Sequence, residues 1–203
     1  MNTQNYGKPF SQACENNKDP ILQVIRRIYK CATVVWEIGS GTGQHACYFA
    51  GKLPDLCWQP TDKAENLPGI RRWVQDADST NLLLPLALDV NDSVWPCRSI
   101  DALFTANTLH IMSWQEVKSM FAHLATLLTP VAPVCLYGPF NYEGAYTSAS
   151  NADFDRWLRI RDPMSGIRDV DAVLKLAEEA GLQLFEDNAM PANNRLLVLR
   201  KVG

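Results

Sequence analysis

The sequence predicts one α/β domain over residues 1–203, built on a doubly wound, seven-stranded and mostly parallel sheet that ends in an antiparallel hairpin. Short apolar runs alternate with amphipathic stretches, which is the pattern of strands and helices layered on a sheet. A loop with three glycines follows the first apolar run, as expected where a strand turns sharply into a helix. Residues 190–194 join the last two apolar runs and are too few for a crossover helix, so these two strands must be antiparallel.

The first predicted element is a helix with Asp19 as its N-cap and Pro20 at its first position, after a polar arm over residues 1–19. Pro85 predicts an edge position for its strand, since proline cannot donate to a neighbouring strand. Ser113 begins a capping-box sequence, and Gly181 follows the last predicted helix. The predicted strands are 33–38, 56–61, 82–88, 100–106, 131–137, 182–189 and 196–200, and helices are predicted over 44–53, 67–76, from 113 onward and over 169–180.

Residues 138–168 fit no simple strand–helix step and are rich in Asn, Tyr, Ser, Asp and Arg. One short helix is predicted within them, over residues 153–159. Long polar insertions at the carboxyl edge of a parallel sheet are where substrates usually bind. We therefore expect a lid or substrate-binding segment within the same domain.

The composition excludes several classes of protein. A hydrophobic fraction of 47% is enough for a full core, and a net charge of −3 without a Lys/Arg-rich stretch argues against a nucleic-acid partner. No stretch approaches the ~18 apolar residues that span a bilayer, and no signal-peptide core is present, so a cytoplasmic location without a membrane partner is expected. The six cysteines and three histidines lack metal-ligand spacing, so no metal site is predicted. The composition leaves the oligomeric state open.

The glycine loop is the most specific motif in the chain. A dinucleotide fingerprint would need a third glycine at position 44, where Gln44 stands. Glycines at 39, 41 and 43 with an acid at 37 instead resemble the first motif of the class I S-adenosylmethionine-dependent methyltransferases, whose sheet is Rossmann-like. That resemblance implies S-adenosylmethionine as cofactor and contacts to it from Glu37, Gly39, Ser40, Gly41 and Gly43.

Two further acids follow predicted strands. Asp62 ends the second strand, where a carboxylate can accept both ribose hydroxyls of a nucleotide. The resemblance implies that Asp89, after the third strand, lies near the adenine amino group and that the N–H of Val90 meets the adenine edge. The antiparallel hairpin also separates this fold from the all-parallel dehydrogenase sheet.

The likeness extends to a narrower family. Eight segments stand in order: 17–21 (NKDPI), 58–62 (WQPTD), 107–111 (NTLHI), 136–140 (LYGPF), 150–155 (SNADFD), 161–163 (RDP), 166–169 (GIRD) and 190–194 (MPANN). From Ser11 onward the chain resembles the domain-of-unknown-function 938 family, whose animal members are called methyltransferase-like 26. The family usually has an arginine before Asn17, where this chain has Asn16, which puts in doubt any substrate or cofactor contact made by that arginine.

Methyl transfer from a sulfonium needs a nucleophile held in line, and a dedicated base is optional. His110 follows the fourth strand and is the first candidate base, although a histidine there can instead bond a neighbouring backbone group. Asn107, one turn earlier, is expected at the mouth of the cofactor site, as both a cofactor-binding and a catalytic residue. Tyr137 ends the fifth strand and either lines the methyl-transfer cavity or packs in the core.

Two residues of the insertion region are candidate substrate contacts. Asn141 can orient a polar group, and Arg168 can grip a carboxylate or phosphate, unless the charged residues around it only form ion pairs. The six tryptophans are dispersed, so packing is expected for all of them. A small-molecule methyltransferase is the leading hypothesis. The alternatives are a non-catalytic cofactor-binding module and a protein methyltransferase.

Overall fold

The computed structural model describes residues 7–202. Its helices are α1 (Gln12–Ile28), α2 (Gln44–Lys52), α3 (Leu67–Gln75), α4 (Trp114–Leu127), α5 (Ala149–Arg161) and α6 (Val170–Glu179). Its strands are β1 (Val34–Ile38), β2 (Cys57–Asp62), β3 (Leu86–Ala87), β4 (Ala102–Ala106), β5 (Pro133–Gly138), β6 (Phe140–Asn141), β7 (Arg168–Asp169), β8 (Leu182–Met190) and β9 (Asn194–Lys201).

The main sheet has seven strands in the order β3-β2-β1-β4-β5-β9-β8. Every pair from β3 to β5 is parallel, whereas β9 is antiparallel to both β5 and β8. This confirms the predicted doubly wound sheet and its antiparallel C-terminal hairpin. The strand order reverses between β1 and β4, the position where open α/β sheets bind ligands beyond their carboxyl ends.

The two sides of the sheet are packed against different helices. Alternate strand residues face opposite sides, so that Val35 of β1 and Phe104 of β4 lie in the layer with α1 and α2. On the other side, Leu103 of β4 and Leu136 of β5 pack with α4 and α6. Both layers contain fully buried side chains, and this rigid framework holds the carboxyl ends of the strands in place.

The first helix begins earlier than predicted. The hydroxyl of Ser11 accepts a hydrogen bond from the Cys14 N–H at 3.4 Å and caps α1, so Pro20 lies inside the helix. The interior proline removes one backbone hydrogen bond, but the fully buried Ile21 and Ile25 hold this stretch against the sheet. The carboxylate of Asp19, the predicted N-cap, instead accepts the Tyr48 hydroxyl. The predicted polar arm is therefore helical from residue 12, and its residues 1–6 lie outside the described part of the chain.

The third strand is shorter than predicted. Only Leu86 and Ala87 form β3, while Leu82 makes an isolated bridge to Trp58. Pro85 separates the two contacts because it has no N–H to donate. The predicted edge position is confirmed, as is the capping box at Ser113.

The insertion after β5 folds around a longer helix than predicted. Helix α5 spans Ala149–Arg161 and is capped by Ser148, whereas β6 and β7 form a separate two-stranded sheet. The carboxylate of Asp155, which is 2% exposed, accepts the N–H of Ile167 at 2.6 Å and the hydroxyl of Tyr146 at 2.7 Å. These bonds fix the end of the insertion against α5. Among the described residues, no helix combines the length and apolar character needed to cross a membrane.

Candidate functional site

A cavity of about 990 Å³ opens at the carboxyl edge of β1, β2 and β4. This volume lies at the upper end of the ~300–1,000 Å³ typical of ligand pockets, which gives room for a nucleoside-sized group and a small second molecule. Its walls include the glycine loop, the residues that follow β4, the first turns of α1, and α5. The cavity lies at the reversal of strand order, as the sequence predicts for a ligand site.

The three glycines of the loop have different roles. All have positive φ, at +72° for Gly39, +58° for Gly41 and +87° for Gly43. A Cβ on Gly39 would lie 2.6 Å from a side-chain atom of Thr108, whereas one on Gly41 would meet nothing within 4 Å. Gly39 and Gly41 line the cavity together with Ser40. Gly43 does not line it, because this residue caps α2 behind the loop, against Ile70.

Asp62 connects the second strand to the glycine loop. Its carboxylate accepts the N–H of Gly41 at 2.7 Å, the N–H of Lys63 at 2.7 Å and the side-chain amide of Asn66 at 2.7 Å. Asp62 also lines the cavity, at the place where a ribose acceptor is predicted. The same side chain therefore fixes the loop and presents oxygen acceptors to a ligand.

Glu37 lies beneath the loop and does not line the cavity in this structure. The carboxyl is 1% exposed and accepts the indole N–H of Trp58 at 2.9 Å. Burial raises the pKa of Glu37 to about 7, against smaller lowering effects from its hydrogen bonds to Trp58 and Ser40. These bonds support the loop through Ser40, and the contact of Glu37 with a cofactor stays a prediction.

The buried Glu37 predicts a pH-dependent stability. Its pKa is raised from 4.5 to about 7 in the folded protein, so the folded state holds more protons in that interval, and stability falls as the pH rises through it. Glu37→Gln does not titrate and can still accept from Trp58. We expect the variant to gain up to about 3 kcal/mol of unfolding free energy relative to wild type between pH 4.5 and pH 7.5.

Urea unfolding of both proteins at several pH values measures this difference. The subtraction removes the contributions of other titrating groups, including the buried His45, whose lowered pKa acts in the opposite direction. A difference that stays constant across this pH range would contradict the raised pKa of Glu37.

At the end of β3, one of the two predicted adenine contacts lines the cavity and the other does not. Val90 lines it beside Leu88. The Asp89 carboxylate lies 3.6 Å from the Lys63 ammonium, while its other oxygen accepts the N–H of Asn91 at 2.9 Å and closes the turn. The contacts of both residues with adenine stay predictions.

The three predicted catalytic residues meet on one wall of the cavity. Asn107 takes a left-handed φ of +56°, and its N–H donates to the carbonyl of Tyr137 at 2.8 Å. His110 is 5% exposed and lines the cavity with both of them. Burial lowers the pKa of His110 to about 4, with a smaller effect from the nearby Arg168, so the imidazole is neutral at physiological pH.

The His110 ring has no hydrogen-bond partner among residues 7–202, and only its backbone carbonyl accepts, from Gly166 at 2.9 Å. The histidine is therefore available to a ligand. Tyr137 is 3% exposed and lines the cavity, so it belongs to both the core and the site. Burial raises the pKa of its hydroxyl, which lies beside the amides of Asn17 and Asn194.

The two predicted substrate contacts lie outside the cavity lining. The Arg168 guanidinium donates to three backbone carbonyls, those of Leu109, Met112 and Met164, and so ties the insertion to the loop after β4. In this structure the Arg168 guanidinium is thus engaged by backbone carbonyls, and its contact with a substrate anion stays a prediction. The side-chain oxygen of Asn141 is buried without a partner among the described residues, away from the cavity.

Sequence reasoning missed two walls of the cavity. Cys14, Asn16 and Asn17 of α1 line it, and Asn17 shares a 2.6 Å hydrogen bond with the ring of His45. These residues fell within the predicted polar arm, before the expected helix start. Asn16 faces the cavity, so the departure from the family pattern is at the site itself.

The other missed wall is α5, which contributes Phe154, Trp157 and Arg161. Trp157 is 51% exposed, so the expectation that every tryptophan is packed is wrong for this one. Among the described residues, no cluster of three or more His, Cys, Asp or Glu side chains is placed to hold a metal ion.

The fold of this chain is similar to that of solved methyltransferases. An O-methyltransferase family protein from Burkholderia thailandensis matches 92% of this chain and 56% of its own, with a TM-score of 0.80 and 16% identity. SibL, an S-adenosylmethionine-dependent methyltransferase in its apo form, matches 94% of this chain and 56% of its own, with a TM-score of 0.78 and 17% identity. CalO1, a methyltransferase in calicheamicin biosynthesis in its SAH-bound form, matches 91% and 54%, with a TM-score of 0.73 and 17% identity.

The fold is thus that of the class I S-adenosylmethionine-dependent methyltransferases. The family described as "Protein of unknown function (DUF938)" matches residues 8–201, and the chain belongs to that family. The chain spans a little over half the length of the three solved proteins.

Proposed function

We propose that the protein is an S-adenosylmethionine-dependent methyltransferase that acts on a small molecule. The observation that carries this proposal is the shared cavity: the glycine loop and Asp62 line one side, and His110 and Tyr137 line another. Its volume of about 990 Å³ suits two ligands side by side. Helix α5 forms a further wall, which favours a small molecule over a protein surface as the methyl acceptor.

The residues present fit this cofactor. A Cβ on Gly41 would meet nothing within 4 Å, so the loop backbone is open to a ligand on the cavity side. Asp62 would accept the ribose hydroxyls, and Val90 would meet the adenine edge. When bound, the cofactor supplies an activated methyl carbon.

The chain itself would hold and orient the acceptor. The neutral imidazole of His110 can accept a hydrogen bond from an acceptor hydroxyl and orient it, and Tyr137 can donate one. A histidine with a pKa of about 4 is a weak base, so positioning is the main contribution expected from this wall.

Calorimetry with S-adenosylmethionine, S-adenosylhomocysteine and NAD tests the cofactor. Both adenosyl compounds should bind and NAD should not, because Gln44 occupies the position of the third glycine of a dinucleotide loop. NAD binding of comparable strength would overturn the assignment. Cofactor binding without transfer of a labelled methyl group to any member of a broad small-molecule panel would favour the non-catalytic module, and transfer only to protein would favour a protein methyltransferase.

His110→Ala tests the wall opposite the loop. We expect S-adenosylhomocysteine affinity to change little, because His110 is assigned to the acceptor. Turnover should fall a few-fold if His110 orients the acceptor, and ~10²-fold or more if it also takes the proton. His123→Ala is the matched control, because the His123 ring stacks on Trp95 and does not line the cavity. A large loss of cofactor affinity with unchanged turnover would place His110 in the cofactor site instead.

A further inference from the structure

A row of aromatic side chains crosses α5 and ends at an arginine. The ring of His110 meets that of Phe154 edge-on, with centroids 5.3 Å apart, and Phe154 stacks on Trp157 with centroids 5.8 Å apart and an interplanar angle of 13°. The guanidinium carbon of Arg161 lies 5.8 Å from the centre of the Trp157 ring. All four side chains line the cavity.

Arg161 differs from the other two arginines of α5. Arg156 forms an ion pair with Asp153 at 2.9 Å, and Arg159 forms one with Asp155 at 2.8 Å. No ion-pair partner of Arg161 lies within 4.0 Å among residues 7–202. It is therefore the arginine of this helix whose charge is left for a ligand in the cavity.

Trp157 supplies accessible aromatic surface beside that charge. It is 51% exposed although it stacks on Phe154 and the Arg161 guanidinium lies over its ring, so part of the indole remains open to a ligand. Aromatic rings stack favourably on such a surface, by about 0.5–1.5 kcal/mol beyond the area that they bury. Asp162 also lines the cavity, but its Oδ1 accepts the N–H of Met164 at 2.9 Å within the turn that follows α5.

We propose that the methyl acceptor is an aromatic carboxylate, with its ring on Phe154 and Trp157 and its carboxylate on Arg161. The planar guanidinium can donate two parallel hydrogen bonds to a carboxylate, and its position over Trp157 already limits its orientation. The opposite end of such a molecule reaches toward His110, where the acceptor atom is placed. This substrate class rests on the proposed function, whereas the binding of ring and anion can be measured without turnover.

The test uses three probes with the same bicyclic carbon skeleton: 2-naphthoate, its neutral amide 2-naphthamide, and the saturated, non-planar decahydro-2-naphthoate. Calorimetry is carried out with the full chain, with and without saturating S-adenosylhomocysteine. We expect 2-naphthoate to bind about tenfold or more tightly than the amide, which loses the charge-assisted bond, and about two- to tenfold more tightly than the saturated acid, which loses ring stacking. Equal affinity for the acid and the amide would overturn the proposal.

Two variants assign the effect to residues. Arg161→Gln should remove the preference for the acid over the amide without weakening the amide, and Trp157→Leu should weaken both naphthyl probes. Arg156→Gln is the matched control, because Arg156 is on the same helix, is exposed and does not line the cavity. An acid preference that survives Arg161→Gln would equally overturn the proposal.

Failure of this proposal can be distinguished from failure of the proposed function. Failure to bind S-adenosylhomocysteine, with tight and Arg161-dependent binding of 2-naphthoate, would overturn the methyltransferase assignment and keep the aromatic carboxylate site. Cofactor binding with no discrimination among the three probes would keep the methyltransferase assignment and overturn the aromatic carboxylate site.

Discussion

Replacing Asp62 by alanine is expected to reduce the affinity for S-adenosylhomocysteine by a hundredfold or more. Two hydrogen bonds from ribose hydroxyls to a carboxylate contribute about 1.5–3 kcal/mol each, and both are lost. The loss extends beyond the ribose, because the same carboxylate accepts the N–H of Gly41 and holds the glycine loop. Calorimetry on the folded variant measures the change, and circular dichroism verifies the fold.

Asp89→Asn is the matched control for this experiment. Asp89 also follows a strand at the same edge of the sheet, but its carboxylate lies beside Lys63 and not on the cavity. We expect its affinity to stay within a few-fold of wild type. A folded Asp62→Ala variant with unchanged affinity would mean that other groups bind the ribose, and equal losses in both variants would indicate a general effect of charge.

Replacing Gly39 by alanine is expected to destabilise the protein by about 2–5 kcal/mol. The added Cβ would lie 2.6 Å from Cγ2 and 2.7 Å from Oγ1 of Thr108, and the residue has φ +72°. Left-handed backbone costs about 1–2 kcal/mol for a residue with a Cβ, and overpacking costs about 1–3 kcal/mol more. Thr108 cannot turn away freely, because its hydroxyl donates to the carbonyl of Ala106 at 3.0 Å. Urea unfolding measures the loss.

Two further variants separate the causes. Gly39→Ala combined with Thr108→Ala removes the two closest atoms. The stability lost to the steric clash should then be recovered, while the loss due to the left-handed backbone remains. Gly41→Ala has φ +58° and open space around its Cβ, so it should lose only about 1–2 kcal/mol of stability. Its methyl group projects toward the ligand and should weaken cofactor binding instead. Equal destabilisation by Gly39→Ala and Gly41→Ala would contradict the role of Thr108.

The sheet was predictable because its signals are local. The spacing of Gly39, Gly41 and Gly43 requires positive φ values that few other residues adopt, and all three have them. The short connection predicted over residues 190–194 leaves no room for a crossover, and β8 and β9 are antiparallel. The start of α1 was missed because Asp19 and Pro20 form a strong local start signal, whereas the helix is capped by Ser11 and includes Pro20 in its interior.

The side chains of the site were harder to predict, because position along a strand does not fix orientation. Glu37 and Asp89 stand next to the loop and the strand end as expected, yet one is buried under the loop and the other closes its own turn. For the arginines of α5, the sequence partly predicts which one is left without an ion-pair partner. Arg156 and Arg159 stand three and four residues after aspartates on one helix, a spacing that pairs them and leaves Arg161. Only the tertiary structure places three carbonyls around Arg168.

The position of β9 within the sheet affects how the protein is made. β9 pairs with β5 on one side and β8 on the other, so the second edge of β5 stays unpaired until residues 194–201 have left the ribosome. Until then one edge of β5 presents backbone N–H and C=O groups without their partners. Pairings between distant parts of a chain form slowly, and exposed strand edges favour aggregation while they wait. Cellular yield should therefore depend on chaperones that shield this edge during translation, even for variants whose final stability equals that of wild type.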